Sequence, residues 1–151
     1  MPLADHLPIA QVRIDASVPH LDRIFDYGVP ASMSDQAQVG VRVRVRFSGR
    51  LVNGFIVGRI AETEATGTLR PLDRVISPEV VLTPEIATLV DAAAARYAGT
   101  FSDVVRAAVP PRHARAEAVQ VTSTAFVSSE PSSDAWARYA GGPALIGRIR
   151  A

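Results

Sequence analysis

Residues 39–47 read V-G-V-R-V-R-V-R-F, an alternation that places Val41, Val43, Val45 and Phe47 on one face of a strand and Arg42, Arg44 and Arg46 on the other. Such a strand is half-buried, with three guanidiniums spaced two residues apart on its outer face. Like charges that close repel, so the row needs acidic neighbours on adjoining strands or an anionic partner, and it points towards phosphate. The plainer reading is a solvated edge strand whose arginines deter edge-to-edge pairing.

The same two-residue period recurs around it. From Ile9 to Val18, Val12, Ile14, Ala16 and Val18 alternate with Gln11, Arg13, Asp15 and Ser17, and Pro19 ends the run. Ile24 to Val29 reads as a second strand, closed by Pro30 and the polar loop A-S-M-S-D-Q-A-Q. Gly40 opens the basic strand, Ser48-Gly49-Arg50 has the length of a three-residue hairpin loop, and Leu51 to Ile60 carries Gly54 and Gly58 where bulges or barrel corners are expected. Glu62 to Thr68 reads as a flexible loop, and Leu69 to Ile76 as a fifth strand with Pro71 at an edge or leading position. Five short strands at close spacing predict a small antiparallel barrel or curled sheet.

The period then lengthens. Thr83 caps a helix with Pro84 at its first position and Glu85 in its first turn, and Ile86, Leu89, Val90, Ala93 and Tyr97 form one apolar stripe before Gly99. A second helix is expected from about Phe101 to Ala108, with Phe101, Val104, Val105 and Ala108 inward and Pro110-Pro111 as its stop. The expected fold class is mostly β with α: a small sheet or barrel over 9–111, a helix pair at its end, and a weakly defined C-terminal segment. Within that segment, 119–126 reads as a strand, 112–133 as a linker with a Ser-rich end, and 134–151 as two helix-like fragments split by Gly141-Gly142-Pro143. The last residues, L-I-G-R-I-R-A, stop inside an amphipathic pattern, so a fragment of a longer protein is expected.

Composition narrows the chemistry. With 151 residues, 48% hydrophobic and 21% charged, the chain supports one good core. All sixteen basic residues are Arg, so no P-loop, Schiff-base or catalytic lysine exists within it. The absence of Cys rules out disulfides and thiolate-ligated zinc or iron–sulfur sites in this stretch. The start, M-P-L-A-D-H-L-P, has neither a basic nor an apolar leader region, and no apolar run is long enough to span a bilayer; a cytoplasmic, nucleoid-associated location is expected. At a net charge of +1, nucleic-acid binding has to come from local clustering, which Arg42 to Arg50 provides.

A second informative stretch is Phe25-Asp26-Tyr27, where alternation sends both aromatics to one face and leaves Asp26 alone on the other. It reads either as two core aromatics beside a solvated carboxylate or as a carboxylate held on a rigid strand near positive charge. Elsewhere, His6, His20 and His113 have no ligand spacing, and Glu62 and Glu64 are not placed as a catalytic pair. Trp136 and Tyr139 read as packing residues, and Arg112, His113 and Arg115 as a small basic cluster. No nucleophile-and-base set and no metal set emerges, so an enzyme is not expected of this chain.

In order, H-L-D-R-I-F-D-Y-G-V-P, V-G-V-R-V-R-V-R-F, N-G-F-I-V-G, L-R-P-L-D-R-V-I and A-A-A-R-Y-A-G-T-F-S-D-V-V-R-A-A-V-P resemble the N-terminal DNA-binding domain of the primosomal replication-restart protein family PriA, also called primosomal protein N′. The resemblance covers about Ile9 to Pro110, and the all-Arg basic set fits a GC-rich bacterium. It implies an OB-like barrel that binds the 3′-OH end of the nascent strand at stalled forks. It also implies a pocket for the terminal nucleotide at Phe25, Asp26, Tyr27, Gly40 and Arg70, with Arg42, Arg44, Arg46 and Arg50 as phosphate contacts. Arg70 stands where the family usually has Lys, and Arg46 where it often has Pro.

An ionised carboxylate only accepts hydrogen bonds, so Asp26 in that position would take a sugar 3′-OH and repel a 3′-phosphate. The resemblance further implies single-stranded and forked DNA as ligands, with other primosome proteins and single-strand-binding protein as partners. Full-length family members are typically ATP-dependent 3′–5′ DNA helicases using ATP, magnesium and zinc, but lysine-poor, GC-rich relatives lack intact helicase motifs, which leaves motor activity of the parent open; none of those cofactors is expected in this chain, and 134–151 would begin a further, winged-helix-like region. A rival reading is a protein-interaction barrel whose arginine row docks an acidic partner such as a single-strand-binding-protein tail.

Overall fold

The computed structural model of the chain describes residues 2–65, 67–117, 119, 136 and 138–150. They form two compact units, Met1–Arg112 and His113–Ala151. The first contains β1 (Ile9–Ile14), β2 (Ile24–Gly28), β3 (Val41–Phe47), β4 (Arg50–Ile60), β5 (Arg74–Val80), α1 (Pro84–Tyr97) and α2 (Phe101–Ala108). The fold class is the expected one: an antiparallel five-stranded sheet, ordered β2-β1-β4-β3-β5, followed by helices.

The two faces of the sheet build two cores. Val12, Ile14, Tyr27, Val41, Val43, Val45 and Ile56 point to the concave side, and all are buried. At roughly 1.5–3 kcal/mol for each fully buried large apolar side chain, this alternation fixes the register, because a one-residue slip would turn every valine of β3 outward. On the convex side, Phe55 of β4 packs edge-on against Phe101 of α2, with centroids 6.2 Å apart, alongside Leu82, Val90 and Val105.

The sheet curls until its ends meet without pairing as strands. Phe25 of β2 and Phe47 of β3 touch edge to face, with ring centroids 4.9 Å apart, although two other strands lie between them in the sheet. Residues 70–73 cross the gap. The Gly28 N–H donates to the Arg70 carbonyl (2.9 Å), the Leu72 N–H to Gly28 (2.9 Å), and the Asp73 N–H to Arg44 on the far side (3.0 Å). The result is an OB-like sheet whose seam is held by a crossing segment. It also relocates the fifth strand, which begins at Arg74 rather than Leu69. Pro71, with no N–H, occupies a single parallel bridge to Gly28.

The hairpin between β3 and β4 is tighter than expected. Phe47 pairs with Arg50, leaving the two-residue loop Ser48-Gly49, with φ of 45° and 81°. Two positive φ values in succession mark the primed turn that matches strand twist.

In α1, Thr83 caps as expected and accepts from the Ile86 N–H. The stripe differs: Val90 and Ala94 are buried, whereas Leu89 and Tyr97 are 66% and 80% exposed. The helix stop also moves, since Ala98 itself takes the left-handed conformation with φ 53°. In α2, Thr100 and Asp103 form a reciprocal capping box. The backbone N–H and the hydroxyl of Thr100 hold the Asp103 carboxyl below its ordinary 3.8. A depressed folded-state pKa stabilises the fold above the unfolded value, and that contribution disappears as pH falls through the folded one. Asp103→Asn is therefore expected to flatten the acid limb of thermal stability below about pH 4 and to leave the neutral limb's slope unchanged, as read by melting curves across pH.

The helix pair is tied to β1 chiefly through Arg13. It bridges Asp22 at 2.6 Å and Asp91, and its guanidinium lies 4.0 Å from the Phe101 ring centroid. The Ser102 hydroxyl completes the joint, accepting from the Ala16 N–H (2.9 Å) and donating to the Ile14 carbonyl.

In the second unit, the described elements are α3 (Ala114–Glu117) and α4 (Gly142–Arg150). The α3 turn falls within the stretch expected as a linker. The strand expected over 119–126, apart from Val119, and the Ser-rich stretch 127–133 lie outside the described residues.

Candidate nucleic-acid interface

β2 is an edge strand, and the end of it that carries Phe25-Asp26-Tyr27 faces the β3–β4 hairpin across the curl of the sheet. Between them opens a cavity of about 430 Å³. One wall is Phe25, Asp26, Tyr27, Arg46, Phe47 and Ser48; the other is Ala65, Gly67, Thr68, Leu69 and Arg70. The sheet thus brings four of the five pocket residues, Phe25, Asp26, Tyr27 and Arg70, to one place.

Asp26 pairs with Gln11 across the β1–β2 ladder and is held from the loop side. The Thr63 hydroxyl donates to Asp26 Oδ2, and the Ala65 N–H donates to Thr63 Oγ1 at 3.0 Å. A loop read from sequence as flexible therefore positions the carboxylate. Thr63 was invisible to sequence reasoning because its partner is 37 residues away. The only local hint is a Thr two residues before an N–H that its own side chain can hold.

Tyr27 is buried, with its hydroxyl 3.5 Å from the Arg46 carbonyl. Burial pushes its phenol up, and the nearby Arg70 charge pulls in the opposite direction. Arg70 lines the same cavity as Tyr27, while its carbonyl carries the seam bond to Gly28.

Gly40 is not part of this arrangement. It precedes β3 at the end opposite Phe47, about 23 Å away along the strand at about 3.3 Å per residue. Its φ is +91°, its carbonyl accepts from the N–H groups of Val81 and Leu82, and a Cβ there would lie 2.5 Å from the Leu82 carbonyl oxygen. The glycine permits this close backbone packing.

The arginines diverge in environment. Arg46 lines the cavity and donates to the Gly49 carbonyl at 3.3 Å. Arg44 donates to Asn53 Oδ1 at 3.2 Å. Arg42 donates to the Pro110 carbonyl and lies 5.6 Å from the Phe55 ring centroid. Arg50 is exposed at the start of β4. Among the described residues, no group of three or more His, Cys, Asp or Glu is placed to hold a metal ion, and no helix is long and apolar enough to cross a membrane.

Residues 11–110 match the family described as the 3′DNA-binding domain (3′BD) of PriA. The chain is 58% identical over 134 residues to a probable replication restart protein PriA of Mycobacterium tuberculosis, covering 88% of this chain and 20% of that protein. It is 54% identical over 130 residues to its counterpart in Mycobacterium leprae, covering 83% and 20%. Identity to the replication restart protein PriA of Bacillus subtilis is 30% over 81 residues, covering 53% of this chain and 10% of that protein. The chain spans about a fifth of the length of the mycobacterial relatives. Its first unit is a DNA-binding domain, and the chain belongs to the PriA 3′DNA-binding domain family.

Proposed function

We propose that this domain captures the 3′-OH end of a DNA strand in the cavity lined by Phe25, Asp26, Tyr27 and Arg70, and that in its parent protein it places replication-restart machinery at forks. The observation that supports this most is the meeting of a carboxylate and a guanidinium across a cavity large enough for one nucleotide. Asp26 accepts the terminal hydroxyl, and a 3′-phosphate or a continuing chain would set negative charge against it. Arg70 answers the penultimate phosphate, and the partly buried Phe25 offers ring surface to the base. Arg46, Arg44 and Arg50 gather phosphate without reading sequence.

Fluorescence anisotropy with short oligonucleotides ending in 3′-OH or 3′-phosphate tests the reading. A clear 3′-OH preference is expected, and equal binding of both ends would overturn it. With these four arginine contacts on single-stranded DNA, the slope of log K against log salt is expected near −3, at roughly −0.7 per contact. Thr63→Val is expected to leave thermal stability nearly unchanged and to reduce the 3′-OH preference about fivefold, since one hydrogen bond of about 1 kcal/mol orients Asp26.

A further inference from the structure

A second cavity, of about 380 Å³, lies on the convex side of the sheet, against α2 and the segment that follows it. Its floor is apolar, made by Phe55, Ile76, Val105 and Val109. Its rim carries Arg42, Arg106 and Arg112 together with Asp15, whose carboxylate is bonded to Arg106 at 2.9 Å. Asp15 offsets Arg106, while Arg42, bonded to the neutral Pro110 carbonyl, leaves the mouth cationic over an apolar interior. That combination suits a flat heteroaromatic base with a phosphate attached to it, more than a free anion or a purely apolar ligand.

The two cavities are joined by the strand that dominates the sequence. Arg46 lines the first, Arg42 lines the second, and Arg44 stands between them on the same face of β3. Four residues of strand span about 13 Å. At roughly 3.4 Å per stacked nucleotide that is about four nucleotides, and fewer for a strand splayed along the sheet. Arg42 donates to the Pro110 carbonyl, yet a guanidinium has five N–H donors and others remain for a phosphate.

We propose that the second cavity receives an internal nucleotide of the same DNA strand, two to four nucleotides from the end held beside Asp26, with β3 as the track between the two sites. This rests on the 3′-end reading for the strand's direction. The domain would then measure a minimum length of single strand as well as its end.

The test uses the 151-residue chain and 3′-OH oligothymidylates of two to eight nucleotides. Affinity is expected to rise about tenfold between two and six nucleotides and then level off. Ile76 is partly exposed and lines the cavity without belonging to either core, so Ile76→Glu should remove that rise while dinucleotide binding stays at the parental value. Ile76→Trp, which narrows the cavity without adding charge, should do the same, and melting curves on both variants check that the fold is kept.

A length dependence that survives both substitutions overturns the second site. So does its displacement by an acidic peptide that binds the parent but not Ile76→Glu at concentrations where oligonucleotides still bind, because the cavity would then serve a protein partner. If the unmutated chain binds 3′-OH and 3′-phosphate ends equally, the end reading fails on its own. The loss of the length step in Ile76→Glu, measured on either end, still decides the second cavity.

Discussion

With Asp26 replaced by Ala, the domain is expected to bind oligonucleotides ending in 3′-OH and 3′-phosphate equally, while retaining the salt-sensitive part of its affinity. A hydrogen bond to a charged acceptor contributes about 1.5–3 kcal/mol, so the lost discrimination is about 10- to 100-fold. Asp26 is half-buried on an edge strand and lies outside both cores, so the fold should tolerate its truncation. Asp26→Asn keeps an acceptor for Thr63 and removes the charge. It is expected to bind the hydroxyl end more weakly and the phosphate end more tightly than the parent, which separates repulsion from attraction. Anisotropy titrations at one fixed salt concentration check both variants.

The second large effect is on stability. Gly40→Ala forces a side chain into a backbone conformation at φ +91° and puts its Cβ 2.5 Å from the Leu82 carbonyl oxygen and 2.7 Å from Val80. The carbonyl belongs to backbone held by two hydrogen bonds to Gly40 itself, so it cannot yield without breaking the joint between β3, β5 and the helix pair. Strain and displacement together are expected to cost about 3 kcal/mol or more, lowering the melting temperature by about 10 °C or more. End discrimination, measured well below the melting point, should be unchanged. A variant as stable as the parent that fails to discriminate ends would return Gly40 to the pocket.

Much of the fold could be read from the chain because its strands are β-branched and strictly alternating. In β3 every valine is buried and no arginine is, so period and burial agree. Reading failed where contacts are non-local. The run L-R-P-L-D looks like a strand, yet it carries only a single bridge because it leaves one sheet edge for the other at Pro71. Leu89 and Tyr97 obey the helical period but stay exposed, because periodicity names a face without saying what covers it.

At the candidate site, the triplet and Arg70 were legible as residues, and their meeting was not. It depends on the curl that brings Phe25 to Phe47, which no local pattern encodes. The separation of Gly40 from that cavity was hidden for a related reason. A glycine at the head of a strand announces backbone constraint, and only the fold shows that the constraint is the Leu82 carbonyl.

Residues 70–73 wall the first cavity at Arg70 and also fasten the two edges of the sheet. Occupancy and closure are therefore linked: a ligand that grips Arg70 more tightly when the seam is closed is expected to slow its opening. The amides of Gly28, Leu72 and Asp73 thus act as a built-in, label-free occupancy gauge, whose hydrogen exchange slows when the cavity fills.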